Sequence, residues 1–178
     1  MAFTNPEENI GKLQLAHGNV FVDLGCGTGI YAILGGEKVG KDGKVFAVDI
    51  QQDVLVNVRD KAKDAGLSNV ETIWADIETE KGTKLADEYV DGVLMSNILF
   101  QLEDKGAAIR EVYRILKKGG RLMIIDWTDS HGHLGPTPEH VFKQADAKQM
   151  LMDSGFVYGD EYDLGDHHYG LVFVKNNE

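Results

Sequence analysis

Between Val20 and Met150, short apolar runs alternate with helically spaced segments, and that alternation constrains the fold more than any other feature of the chain. The runs are "NVFVDL" (Asn19 to Leu24), "KVFAVDI" (Lys44 to Ile50), "VETIWADI" (Val70 to Ile77), "DGVLMSN" (Asp91 to Asn97) and "GRLMIIDW" (Gly120 to Trp127). They are short and rich in valine and isoleucine, as strands buried on both faces should be. Between them, Val54, Leu55, Val58, Ala62 and Ala65 share one helical face, with Gly66 as the stop. Ile109, Val112, Tyr113 and Leu116 repeat the pattern before Gly119, and Ala147, Met150 and Leu151 before Gly155. Each glycine stands where a helix C-terminus favours a left-handed residue. Asn5-Pro6-Glu7-Glu8 has the make-up of a helix start: a cap, a proline in the first turn and acids near the dipole.

Strand–helix alternation implies right-handed crossovers and a doubly wound parallel sheet with helices on both faces, a three-layer α/β sandwich. The C-terminal part differs. "FVYGDEYDLG" (Phe156 to Gly165) and "HYGLVFVK" (His168 to Lys175) leave no room for a helix between them, so they should pair antiparallel. With 178 residues, the chain suits one domain over residues 1–178. "HGHLGPTP" (His131 to Pro138) is the one loop irregular enough to suggest a functional role.

The first strand runs into Gly25, Gly27 and Gly29. Glycine is the residue that loses most backbone freedom on folding, so three at alternate positions imply a need for bare backbone. In an open α/β sheet, ligands bind beyond the C-terminal strand ends, where the loop lies. A dinucleotide fingerprint is spaced G-x-G-x-x-G, whereas here Ile30 stands at the third glycine's place. Asp23 precedes the loop; its charge would repel a pyrophosphate and suit an ammonium or a sulfonium. Asp49, Asp76 and Asp126 close the second, third and fifth strands. Any one of them alone could be a solvated turn residue. Asp49 is placed to take both ribose hydroxyls, and Asp76 to reach an adenine amino group.

These residues together resemble a class I S-adenosylmethionine-dependent methyltransferase over nearly the whole chain. The motifs are "VFVDLGCGTG", "VFAVDI", "WADIE", "VDGVLMSNILFQLED" and "AIREVYRILKKGGRLMIIDW". The likeness is strongest to the small-molecule branch that includes ubiquinone and menaquinone biosynthesis methyltransferases. It implies a Rossmann-like seven-stranded sheet, mostly parallel with an antiparallel last strand. It implies S-adenosylmethionine as cofactor, a small-molecule methyl acceptor as partner, and a cofactor loop over Gly25, Cys26, Gly27, Thr28 and Gly29. Asp23, Gly25 and Gly27 would lie near the methionine part, Asp49 and Ile50 at the ribose, Asp76 and Ile77 at the adenine. Ser96 would approach the amino-acid portion through its backbone. Phe100 and Gln101 stand where the family often has histidines, which leaves the acceptor open. The stretch before the first strand is short, so a lid is expected from Asn5 to Leu15, from Thr128 to His140, or from another subunit, which would make a homodimer.

Candidate general bases cluster late: His131, His133 and His140 in or beside the irregular loop, and His168 and Tyr169 at the start of the last strand. Histidine titrates near neutrality and accepts a proton there. His131-x-His133 lacks a third ligand at recognisable spacing, so no metal is expected. Cys26, at a helix start, has two readings: a thiol of lowered pKa, or a small packing residue in a tight loop. Tyr31 is expected to line the cofactor site, Trp74 and Trp127 to pack, and "DIETEKGTK" to be solvated surface. One cysteine permits no internal disulfide, no segment reads as a secretory signal or membrane span, and a cytoplasmic protein is expected. A formal net charge of -11 disfavours nucleic acid as partner. Two rival readings remain: a cofactor-binding protein without catalytic activity, and a nicotinamide-dependent oxidoreductase.

Overall fold

The computed structural model describes residues 5–131 and 135–177. It contains one seven-stranded sheet in the order β3-β2-β1-β4-β5-β7-β6. The strands are β1 (Val20–Leu24), β2 (Lys44–Asp49), β3 (Val70–Trp74), β4 (Val90–Ser96), β5 (Leu116–Trp127), β6 (Phe156–Asp163) and β7 (His168–Lys175). The first five run parallel, and β7 is antiparallel to both of its neighbours, β5 and β6. The expected doubly wound sheet with an antiparallel last strand is what forms.

Side chains alternate across the sheet with period two, and each face carries its own core. On one face Val22, Leu24, Leu122 and Ile124 pack with Ile109, Val112 and Ile115 of α4 (Lys105–Ile115) and with Ala147 and Leu151 of α5 (Gln144–Asp153). On the other, Phe21, Leu94, Met123 and Ile125 pack with Ile10 of α1 (Pro6–Gly11). Tyr31 and Ala32 of α2 (Ile30–Val39) and Leu55 and Val58 of α3 (Gln52–Asp64) complete that face. The start of α1 is as expected: Pro6 opens it, and the Asn5 carboxamide accepts from the N–H groups of Glu7 and Glu8.

Three local expectations need correction. Leu116 does not continue α4, and Gly119 does not cap it. The helix stops at Ile115 because its last carbonyls accept from Glu88 N and Tyr89 N of the incoming chain, while Leu116 turns extended and pairs with Val90. β3 stops at Trp74 rather than Ile77, so Asp76 lies beyond the strand. Trp74 is not a packing aromatic: it is 58% exposed on the edge strand, and its indole N–H donates to Ile50 O at 2.9 Å.

The stretch read as solvated surface is anchored. Thr83 is fully buried, and its hydroxyl and N–H both donate to the Glu111 carboxylate. Arg114 donates to both oxygens of the same carboxylate, to Leu85 O and to Asp87. Glu111 is buried and Arg114 partly so, and this network pins the 75–89 segment to α4. Ile77, in the same segment, is buried in the core against α4. Among the described residues no helix is long and apolar enough to cross a membrane.

Candidate functional site

The sheet order reverses between β1 and β4, and a cleft opens beyond their C-terminal ends. The glycine loop forms its floor and is stitched to β2. Gly25 N and Cys26 N both donate to Val48 O, at 2.8 and 3.0 Å. Gly27 N donates to Asp49 Oδ2 at 3.1 Å, and Gln51 N to Asp49 Oδ1 at 3.0 Å. Asp49 therefore ties the loop to the start of α3, and each of its oxygens retains a second lone pair for a ligand hydroxyl. Gly29 N closes the turn on Cys26 O at 2.8 Å. Two glycines are sterically required. Gly25, at φ +68, has Ile98 against the place a Cβ would occupy; Gly29, at φ +77, would set a Cβ 2.6 Å from Val58 Cγ2. Gly29, the N-cap of α2, has no side chain to cap the helix, and the Asp23 carboxylate takes the Ala32 N–H in its first turn.

Above the loop is a cavity of about 740 Å³. Asp23, Gly25, Cys26, Gly27 and Thr28 line one part of it, Asp49 and Ile50 the next, Asp76 and Ile77 the far end, and Ser96 the β4 side. Of the expected cofactor residues only Gly29 is set back, one step behind the wall at the head of α2. Asp76 holds itself in a turn: its Oδ1 accepts from Glu78 N at 2.9 Å and its carbonyl from the Thr79 hydroxyl at 2.8 Å. Pro6 and Tyr31 form the wall contributed by α1 and α2, joined by a 3.2 Å hydrogen bond from Asn9 Nδ2 to Tyr31 Oη. Gln101 completes the opposite wall, its amide N–H donating to Asn97 O at 2.7 Å.

The electrostatics are one-sided. Every charged side chain lining the cavity is a carboxylate: Asp23, Asp49, Asp76, Glu78 and Glu103. Asp23 is only 1% exposed, and its Oδ2 has no hydrogen-bond partner. Burial pushes its pKa up to about 7; the backbone N–H of Ala32 pulls the other way, and the nearby charge of Asp49 adds to the rise. A second buried oxygen without a partner, Asn97 Oδ1, belongs to a residue held at φ +57 directly after β4. Leaving such acceptors bare costs free energy, and a ligand rich in N–H donors and positive charge would relieve it. A pyrophosphate would meet five acidic side chains and, among the described residues, no cation.

Sequence reasoning missed Asn97. The available signal was an asparagine at a strand end, a residue that tolerates positive φ. Asp126, the acid closing the fifth strand, is neither a solvated turn residue nor part of the cavity wall. This carboxylate is fully buried, accepting from Leu99 N and Trp127 N, and it holds the turn behind Asn97 rather than facing a ligand. Burial pushes its pKa up to about 6 against the pull of those N–H groups.

The candidate bases lie elsewhere. His168 and Tyr169 pair with Trp127 and Asp126 on the β5–β7 side of the sheet, away from the β1–β4 cleft. His168 is buried with its ring 4.3 Å from that of Trp127, and burial lowers its pKa. Tyr169 is buried, donates to Phe142 O at 3.0 Å, and has its pKa raised by burial. His131 stacks on His167 at 4.0 Å, and His167 Nδ1 lies 2.9 Å from Asp129. His140 is exposed, 2.7 Å from the Thr137 hydroxyl. None of these lines the cavity, and His133 lies outside the described residues. The Cys26 thiol is buried and its pKa is raised by that burial, the reverse of an activated thiol and in keeping with a packing role. Among the described residues no group of three histidine, cysteine or acidic side chains is arranged to hold a metal.

Comparison with known proteins bears on the same residues. Residues 15–169 match a protein family described as a methyltransferase domain. The chain is similar to the ubiquinone/menaquinone biosynthesis C-methyltransferase of Vibrio vulnificus, 35% identical over 161 residues, covering 83% of this chain and 61% of that protein. It is 32% identical over 120 residues to a demethylmenaquinone methyltransferase of Listeria welshimeri, covering 67% of this chain and 50% of the other. The chain thus spans between half and two thirds of these relatives' length. A crystal structure of an S-adenosylmethionine-dependent methyltransferase from Aquifex aeolicus superposes with a TM-score of 0.87 at 28% identity, covering 97% of this chain and 90% of that one.

Proposed function

The chain belongs to the methyltransferase-domain family, and from that premise we propose that it transfers a methyl group from S-adenosylmethionine to a small-molecule acceptor. The observation that carries this reading is the bare, buried Asp23 oxygen in a cavity whose charged residues are all acidic. Such a site favours a ligand bearing both an ammonium and a sulfonium over one bearing phosphates. In this reading Asp23, Gly25 and Gly27 hold the methionine part, Asp49 and Ile50 the ribose, Asp76 and Ile77 the adenine, and the Ser96 backbone the amino-acid end.

When bound, the cofactor supplies a methyl group already electrophilic on a positively charged sulfur. The chain has to orient the acceptor and exclude water, and well-oriented geometry lowers such barriers by up to roughly 7–11 kcal/mol. Pro6, Tyr31, Asn97 and Gln101 are the walls available for the acceptor. No histidine stands among them, so an acceptor that carries its own nucleophile suits the site best. The names of the relatives make a demethylated quinol, methylated on carbon, the first acceptor class to try.

The test is a transfer assay with methyl-labelled S-adenosylmethionine and a panel headed by demethylated quinols. The expected result is label in the acceptor and an equal amount of demethylated cofactor. Tight cofactor binding with no demethylated product from any acceptor would overturn the reading in favour of a binding protein without activity.

A further inference from the structure

The glycine turn is a thin partition. On its far side, against α3, lies a groove of about 460 Å³ that shares Gly27, Thr28 and Val54 with the main cavity. In this groove Lys61 Nζ donates to Thr28 O at 2.7 Å. Lys61 stands nearly one turn beyond Val58 on α3, and Val58 presses on Gly29 so closely that no Cβ fits there. The peptide unit that carries the Thr28 carbonyl also carries the Gly29 N–H, which is bonded to Cys26 O. One lysine contact and one turn hydrogen bond therefore fix that peptide plane at both ends. Rotating the plane would break both.

Building on the reading of the cavity as an S-adenosylmethionine site, we propose that Lys61 is a positioning residue for the cofactor, acting from outside the cavity by holding the Thr28 carbonyl outward. The turn has three glycines within five residues, so Cys26 and Thr28 carry its only side chains. Its shape comes from neighbours: Val48 and Asp49 on the β2 side, Val58 and Lys61 on the α3 side. Among the described residues Lys61 is the one cation lining either cavity or groove. Its charge-assisted bond to a carbonyl is stronger than a neutral one and reaches 33 residues back along the chain.

The experiment compares the wild type with Lys61→Met and Lys61→Arg in three measurements: amide hydrogen exchange over residues 25–29 without ligand, the calorimetric affinity for S-adenosylmethionine, and the urea unfolding midpoint. Lys61→Met is expected to speed exchange in the loop and to weaken cofactor affinity by about threefold, the scale of one solvent-exposed charged contact. Its unfolding midpoint should stay near that of the wild type, and Lys61→Arg should restore both loop exchange and affinity. Wild-type loop exchange and affinity in Lys61→Met would overturn the proposal, as would a fall in midpoint that speeds exchange throughout the protein. A wild type that binds no S-adenosylmethionine would sink the reading of the cavity; unchanged loop exchange in Lys61→Met would sink the role of Lys61 separately.

Discussion

Alanine at position 49 is expected to remove nearly all of the stabilisation that S-adenosylmethionine confers. Asp49 has two tasks in this site. It accepts Gly27 N and Gln51 N, which fixes the loop, and its remaining lone pairs face the cavity. Asp49→Ala deletes both, and two charge-assisted hydrogen bonds are together worth about 3–6 kcal/mol, or a hundredfold or more in affinity. A ligand at 100 times its dissociation constant stabilises a fold by about 2.7 kcal/mol. That increment should be present in the wild type and almost absent in Asp49→Ala at the same cofactor concentration. Asp49→Asn keeps an acceptor for Gly27 N but loses the charge, and should fall between the two. A full shift in Asp49→Ala, read from thermal unfolding, would refute the assignment of Asp49 to the ribose.

Asp23→Asn should raise the stability of the ligand-free protein while destroying its affinity for the cofactor. The sign follows from the direction of the shift. Burial holds the Asp23 carboxyl at about 7 in the folded state, against an ordinary value of 3.8. The folded chain therefore keeps a proton that the unfolded chain has lost, and the penalty of a buried charge grows as pH rises from about 4 to 7 and is constant above. At pH 8 the neutral, isosteric asparagine escapes that penalty, a gain on the order of 4 kcal/mol. The advantage should shrink by roughly half or more at pH 5, where the wild-type carboxyl is already protonated in the folded state. Cofactor affinity should move the other way. In the wild type it should rise with pH up to about 7, as the carboxylate that meets the ammonium ionises, and in Asp23→Asn it should be low and flat. Urea unfolding and calorimetry at pH 5 and pH 8 read both effects. A variant less stable than the wild type at pH 8, or one that binds the cofactor normally, would contradict this account of Asp23.

The parts of this molecule that could be read in the sequence are those set by backbone chemistry and by period. The inner strands are buried on both faces and read as continuous apolar runs, while the edge strands β3 and β6 are partly exposed; all seven lie close to where the sequence put them. The glycine loop could be read because a left-handed turn under a close-packed helix has no other residue to use, as Gly29 against Val58 illustrates. Asp49 and Asp76 could be read because they sit at fixed offsets from strands. What escaped is set by partners distant in sequence. Asp126 and Asp49 look alike as strand-end acids; one is sealed against Leu99 N while the other faces the cavity, and only the packing of the 98–101 turn separates them. Thr83 reads as a polar residue in a charged run until Glu111 and Arg114, some 30 residues later, close over it. His168 and Tyr169 have the right chemistry for a base, but antiparallel pairing with β5 carries them to the wrong side of the sheet. The partnerless oxygen of Asn97 follows from a φ of +57, which no spacing rule specifies.

The most direct test of the central claim, that a carboxylate-lined cavity over a bare glycine turn was shaped for a cationic thioether nucleoside, is a calorimetric titration of the ligand-free protein. S-adenosylmethionine should bind saturably with one site per chain, its demethylated product should compete for that site, and NAD should give no heat beyond dilution. Saturable binding of NAD to a protein that ignores S-adenosylmethionine would contradict it.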